Sequence, residues 1–301
     1  MGGVQMAETV GIEEPELDLG GVLAGCSIEL LPDPGLDLGP LASALAPGSR
    51  VFLAFAARTQ PAVLVETARR VGALGFVPVP HLPARRFADA RSFAGLLEAL
   101  ASCGVREALV IAGDPARPAG PYASALALME TGLFQALGFG RLFVAGHPEG
   151  HPRVAVPELE RALRAKCAVA ERAGIALEVV TQFGFDADAP LRFERRLREL
   201  GVEVPIRVGL AGPARLATLL RYAARCGVAS SAAVALREPG RVVGMMARRT
   251  PDAQLRVLLR HRSRCPGCRL HAVHLFPFGG VRETLDWLAR IQGAGGERRP
   301  L

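Results

Sequence analysis

The sequence predicts an α/β fold, a single-domain (β/α)8 TIM barrel, on three observations: strands and helices alternate strictly, the alternation runs through eight repeats, and no strand opens into a glycine-rich dinucleotide loop. Half of the 301 residues are hydrophobic and 22% are charged, so the chain can bury a sizeable core without disulfides or metals.

The expected strands are apolar runs at Cys26–Leu31, Val51–Ala56, Gly75–Leu82, Ala108–Gly113, Arg141–Pro148, Ala176–Phe185, Pro205–Gly212 and Leu270–Gly279. Each has the length and composition of a strand buried on both faces. Between them, apolar residues three and four apart predict helices at Pro61–Leu74, Phe93–Cys103, Glu158–Ala173, Leu191–Leu200 and Ala214–Cys226. Gly75, Gly104, Gly174, Gly201 and Gly227 follow these helices as left-handed caps. A last helix, Gly280–Ile291, carries the only tryptophan, Trp287. The longest interval between strands, Ala229 to Arg264, contains Met245, Met246 and an expected extra basic helix around Asp252–Arg262.

Strict alternation implies parallel strands joined by right-handed crossovers, and eight of them close a barrel. An open doubly wound sheet shares the alternation, but neither G-x-G-x-x-G nor a Walker A loop follows any strand. Residues 1–20 are expected to form a flexible acidic extension, 21–292 the barrel and 293–301 a flexible polar tail.

The chain has no apolar run of membrane-spanning length and no basic start followed by an apolar stretch, so a cytoplasmic protein with no membrane partner is expected. Six scattered cysteines argue for reduced thiols. The net charge of +7 comes almost wholly from arginine without interleaved aromatics, which speaks against a nucleic-acid partner and suits an anionic small molecule. Lys166 is the only lysine. A homo-oligomer is compatible with the sequence.

In a barrel, polar residues at strand ends share one rim. They are Ser27 and Glu29, His81, Asp114, then His147, Glu149 and His151, then Thr181, Gln182 and Asp186, and finally His271 and His274. Their surroundings form ordered blocks: S-I-E-L-L-P at 27–32, P-H-L at 80–82, A-G-D-P at 112–115, P-Y-A-S-A-L at 121–126, V-A-G-H-P-E-G-H-P at 144–152, V-T-Q-F-G-F-D at 180–186 and V-P-I-R-V-G at 204–209. In this order they resemble the methylenetetrahydrofolate reductase family, the fifth and sixth blocks being the most specific.

The resemblance implies reduction of 5,10-methylenetetrahydrofolate to 5-methyltetrahydrofolate, with hydride passing from NAD(P)H through FAD. It places Glu29 as the general acid that opens the folate imidazolidine ring, Asp114 near flavin and pterin, and Gln182 on the pterin edge, where an amide both donates and accepts. Walling by Ile28, Leu30 and Leu31 would hold a carboxyl at position 29 protonated. His81, Tyr122, Ala123, His147 and His151 fall on flavin-lining positions, and Lys166 on one that reaches a cofactor phosphate. Simpler roles exist for several: an ion pair with an arginine for Glu29, a turn before Pro115 for Asp114, and a loop backbone bond for Gln182.

Departures from the family pattern include S-I-E-L-L-P-D for S-F-E-F-F-P-P, Ala112 for the arginine of R-G-D, His147 for a tyrosine, and His274-Leu275-Phe276-Pro277-Phe278-Gly279 for H-F-Y-T-L-N. They leave two alternatives open: a flavin-independent or substrate-shifted one-carbon enzyme, or a noncatalytic folate-binding subunit. Cys265 and Cys268 have C-x-x-C spacing with His271 and His274 close behind, but strand alternation sends the two histidines to opposite faces, so no metal site is expected.

Overall fold

The computed structural model describes residue 23, residues 25–226, residue 228, residues 248–265 and residues 267–296. The expected N-terminal extension, Gly227, Met245, Met246 and residues 297–301 lie outside the described residues.

The strands are β1 (Ser27–Leu30), β2 (Arg50–Leu53), β3 (Val77–Pro83), β4 (Glu107–Ile111), β5 (Arg141–Gly146), β6 (Ala176–Thr181), β7 (Ile206–Ala211), β8 (Ala214–Arg215), β9 (Arg248–Arg249) and β10 (Leu270–Phe276). Eight of them close a parallel barrel in the order β1-β10-β7-β6-β5-β4-β3-β2, with Ser27 opposite His274 at the closing seam. The fold is therefore the (β/α)8 barrel that the alternation predicts.

The helices are α1 (Pro61–Ala73), α2 (Ala90–Ser102), α3 (Ala125–Met129), α4 (Leu133–Ala136), α5 (Val156–Ala173), α6 (Ala189–Glu199), α7 (Leu216–Cys226), α8 (Asp252–Arg264) and α9 (Val281–Gly296). Gly75, Gly104, Gly174 and Gly201 all have positive φ, as helix-ending glycines should. Two helix starts are shifted for structural reasons, and one helix end is extended. Helix α2 starts before Phe93 because Asp89 and Ser92 form a reciprocal capping box. Helix α7 starts late because Ala214 and Arg215 instead pair antiparallel with Arg249 and Arg248 as β8 and β9. Helix α9 runs to Gly296, past the expected end at Ile291 and into the segment expected to be a tail.

Alternation along each strand sorts side chains between two cores. Ile28, Leu30, Val51, Leu53, Val208 and Leu210 join the large core between barrel and helices. Phe52, Val79, Leu109, Phe143 and Val180 fill the barrel itself.

Two residues ahead of Phe52, Leu109, Phe143 and Val180 stand Arg50, Glu107, Arg141 and Glu178. They form a charged floor towards the N-terminal ends of the strands. Arg50 Nε lies 2.6 Å from Glu107, and Arg207 Nε donates to Glu178 at 2.8 Å with both side chains 1% exposed. Burial pushes the Glu178 carboxyl up, but the His271 hydrogen bond and the charges of Arg207 and Arg50 outweigh it and hold the group below its usual range.

A β-bulge between Leu270 and Ala272 corrects the expectation for the two histidines. The extra residue breaks the alternation, so His271 Nε2 reaches inward Glu178 at 2.8 Å while His274 also faces the interior, nearer the mouth.

Candidate active site

The mouth of the barrel gathers three titratable groups from β1, β3 and β10. Glu29 Oε2 lies 3.5 Å from His81 Nε2 and 3.8 Å from His274 Nε2. Ser27 Oγ and His274 Nδ1 share a hydrogen bond of 2.9 Å, and Arg207 donates to the same Oγ at 3.3 Å. The His274 ring is thereby held from below. Phe52 packs edge-on against both imidazoles, its centroid 6.1 Å from His81 and 4.5 Å from His274.

The wall around Glu29 differs from the one the sequence suggested. Ile28 and Leu30 face the outer core, and Leu31 is 58% exposed. His81 and His274, themselves packed on Phe52, flank the carboxyl instead. Burial pushes Glu29 above the usual carboxylate range, and His81 only partly offsets this. Burial also depresses His81, against the pull of Glu29, and drives His274 down to about 3 with help from the Arg207 charge. Burial favours the neutral form of both imidazoles, so the pull of His81 on the Glu29 proton stays smaller than the push of burial. His81 Nε2 is buried without a hydrogen-bond partner among the described residues.

A second group lies on the rim after β5 and β6. The His147 and His151 rings meet edge to face at 5.0 Å, and His147 is lowered to about 4 by burial, then by the charges of His151 and Lys166. Burial holds the Lys166 amine, projecting from α5, below the usual lysine value. Gln182 directly follows β6, its amide oxygen accepting from Phe183 N at 3.1 Å, and it lines a pocket with His147, Glu149 and Gln254.

The β4 loop contributes less to this constellation. Asp114 is exposed, following Gly113, whose φ of +89° and a would-be Cβ 2.8 Å from Pro83 Cβ require glycine. Ala123 is exposed, and its carbonyl accepts from Arg85 Nε at 2.8 Å. Tyr122 is not brought to the mouth. Its ring is buried in the outer core, edge-on to Phe93 of α2 at 5.5 Å, because the loop turns the aromatic face towards the helix layer.

Residues 64–234 match the sequence profile described as methylenetetrahydrofolate reductase, more than half of the chain. The chain belongs to the methylenetetrahydrofolate reductase family. It is 31% identical over 143 residues to methylenetetrahydrofolate reductase (NADH) 1 of Arabidopsis thaliana, an alignment covering 43% of this chain and 24% of that protein. The chain thus spans about a quarter of that relative's length. It also resembles a solved structure from Clostridium thermocellum, an uncharacterized protein that binds two copies of 5-methyl-5,6,7,8-tetrahydrofolic acid. The TM-score is 0.54 at 10% identity, covering 91% of this chain and 96% of that one, a likeness of fold.

The stretch matched to the methylenetetrahydrofolate reductase family contains His81, Asp114, Tyr122, Ala123, His147, His151, Lys166 and Gln182, while Glu29 precedes it. Sequence reasoning missed the support beneath Glu29. Ser27 and His274 were visible as rim residues, yet their pairing depends on barrel closure. Arg207 and Glu178 left one available signal, a charge of each sign within an otherwise apolar strand.

Among the described residues, no group of three or more His, Cys, Asp or Glu is placed to hold a metal ion, and no helix is long and apolar enough to cross a membrane. Cys265 and Cys268 are free thiols.

Proposed function

We propose that this chain reduces 5,10-methylenetetrahydrofolate to 5-methyltetrahydrofolate, using NAD(P)H as the hydride source and FAD as the carrier. The observation that carries the reading is Glu29, a carboxyl biased towards its protonated form at the mouth of a barrel of this family, with two neutral imidazoles beside it.

The proton on Glu29 is the useful one. Delivered to a nitrogen of the folate imidazolidine ring, it lets the carbon–nitrogen bond open to an iminium that accepts hydride. Ser27 and Phe52 hold the His274 ring, with Arg207 donating to Ser27, and His81 and His274 flank the carboxyl. Gln182, with both a donor and an acceptor, suits the pterin edge. Asp114, exposed on the neighbouring rim loop, is free to meet a ligand.

The donor set also fits a flavin dinucleotide. His81 offers a buried ring nitrogen without a hydrogen-bond partner among the described residues, His147 and His151 offer ring nitrogens on the rim, and Lys166 supplies a cation for a phosphate. When bound, FAD would relay hydride from NAD(P)H to the substrate. A second reading, direct hydride transfer from NAD(P)H to the folate, is favoured by Tyr122, whose ring lies in the core and not beside a ligand.

The test is the visible spectrum of the purified protein, titrated with FAD and then with NADH. Flavin bands that bleach with NADH and recover with methylenetetrahydrofolate support the flavin route. A colourless protein that still oxidises NADH with that folate supports direct transfer. Glu29→Gln should slow folate reduction by about two orders of magnitude or more while leaving flavin reduction intact. An unaffected folate step would remove Glu29 from the acid's role.

A further inference from the structure

The link from α8 to β10 carries the C-x-x-C pair, Cys265 and Cys268, at the N-terminal end of the barrel and away from the mouth. Cys265 caps α8, its N–H donating to the carbonyls of His261 and Arg262, and Cys268 N donates to Cys265 O at 2.9 Å. That bond closes a turn between the two cysteines, which brings their α-carbons within about 7 Å. A disulfide tolerates no more than about 7 Å between them, so the backbone already has the span that a bridge requires. The tip is open as well: a Cβ on Gly267 would meet nothing within 4 Å, which leaves room for a small molecule to approach.

The two sulfurs have different surroundings. Arg198 of α6 donates to Cys265 Sγ at 3.9 Å and is itself held by Glu194, which is 3% exposed. A sulfur that accepts from a guanidinium is placed to act as a thiolate nucleophile. Cys268 packs against the outer core: burial pushes its thiol up, the Leu270 backbone offsets part of this, and charge on Cys265 adds to the rise. Each sulfur thus lies in the field of the other, and Cys268 keeps its proton until a bridge forms. The remaining four cysteines, Cys26, Cys103, Cys167 and Cys226, stand in other elements.

We propose that Cys265 and Cys268 form a reversible dithiol–disulfide couple, a two-electron redox site separate from the mouth. The oxidant class is a low-molecular-weight disulfide. The Cys265 thiolate attacks one of its sulfurs, the S–S bond of the small molecule breaks, and the released thiolate takes up the proton that Cys265 gave up. Cys268 then attacks Cys265 Sγ, and the second small thiolate leaves with the Cys268 proton. Two protein thiols become one disulfide while one small disulfide becomes two thiols, and two electrons pass from protein sulfur to the small molecule. The couple does not depend on the folate reading.

The experiment equilibrates the whole protein with reduced and oxidised glutathione at a series of ratios, quenches with acid, alkylates under denaturing conditions and digests with trypsin. Cleavage after Arg264 and Arg269 isolates residues 265–269, so both thiols are read in one peptide. It should pass from doubly alkylated to unalkylated, with two hydrogens fewer, in a single transition. The oxidised fraction should rise from about a tenth to about nine-tenths over a roughly hundredfold increase in glutathione disulfide relative to the square of glutathione. Dithiothreitol should reverse it. Cys268→Ser should instead hold glutathione on Cys265, whereas Cys265→Ser should leave Cys268 alkylatable. Cys26, buried and pushed up to about 12, should stay reduced throughout.

Three results would overturn the inference. Glutathione that accumulates on either cysteine of the wild type, in place of the internal bridge, would mean that the turn cannot close. A peptide that stays doubly alkylated at every ratio would mean that neither thiol reacts. A bridge that forms only after unfolding in urea would mean that the folded turn, with Arg198 at Cys265, does not make the couple. Each outcome leaves the folate reading at Glu29 untouched.

Discussion

His274 ties the stability of the barrel to pH. It faces Ser27, Glu29, Phe52, Arg207 and Phe276, is 1% exposed, and is driven down to about 3 by burial and then by the Arg207 charge. In the unfolded chain the same imidazole titrates near about 6.5. Because the folded value is the lower one, its contribution to stability is complete above the unfolded value and is lost as pH falls towards 3. At about pH 5 the unfolded ring is protonated and the folded ring is not, and the gap of about 1.5 units to 6.5 corresponds to about 2 kcal/mol. The perturbation is His274→Gln, and the assay is urea unfolding at about pH 7.5 and about pH 5, followed by far-ultraviolet circular dichroism. Glu29 titrates in both proteins, and its shift is set by burial and His81, so it largely cancels in the difference. The wild-type protein should lose about 2 kcal/mol relative to the variant over that interval. A stability difference unchanged between the two pH values would refute a neutral, buried His274.

Arg207→Ala should cost about 3–5 kcal/mol, seen as a large fall in the urea midpoint, because it strips the main charge partner from a Glu178 that is 1% exposed. Gly209→Ala should cost about 1–3 kcal/mol by the same assay, since a Cβ there would lie 2.2 Å from Thr181 O and 2.7 Å from Phe276 Cε2. Trp287→Phe should cost about 1–3 kcal/mol, because Trp287 Nε1 donates to Asp252 Oδ1 at 2.9 Å and ties α9 to α8; a melting temperature equal to wild type would show that water replaces the bond freely.

The barrel was legible because parallel strands buried on both faces read as unbroken apolar runs, and because glycines at positions such as 75, 104 and 174 end helices for a local steric reason. What was lost depends on contacts far apart in sequence. The pairing of Ala214 and Arg215 with Arg249 and Arg248 spans more than thirty residues, so the periodicity around Ala214 read as helix. The bulge at His271 has no local signature either, and a strict period of two misplaced that ring. At the site, the block around Glu29 was readable, but its neighbours were not: Ser27 and His274 meet only where β1 closes on β10. Tyr122 shows the converse, a motif residue whose side chain is claimed by Phe93.

An arginine-rich chain ought to neutralise every buried carboxyl by ion pairing, and Glu29 escapes because charge is sorted along the barrel axis. Arg50, Arg141 and Arg207 are occupied by Glu107 and Glu178 in the floor, and the rings of Phe52 and Phe143, 5.0 Å apart, fill the barrel beyond it. The side chain of Arg207 ends on Ser27 and the carbonyl of Gly25, at the start of β1, and no arginine contributes to the Glu29 shift. The floor thus has a chemical consequence at the mouth. Freed of Glu178, Arg207 would exert its charge on His274 without compensation, and the histidine would be held still more firmly in the neutral form. Glu178→Gln should therefore leave the proton on Glu29 in place while weakening the floor, which would appear as lower stability with the pH dependence of folate reduction retained. A shift of that pH profile to lower values would instead mean that the Arg207 charge reaches Glu29, and that the sorting of charge along the axis does not insulate the acid.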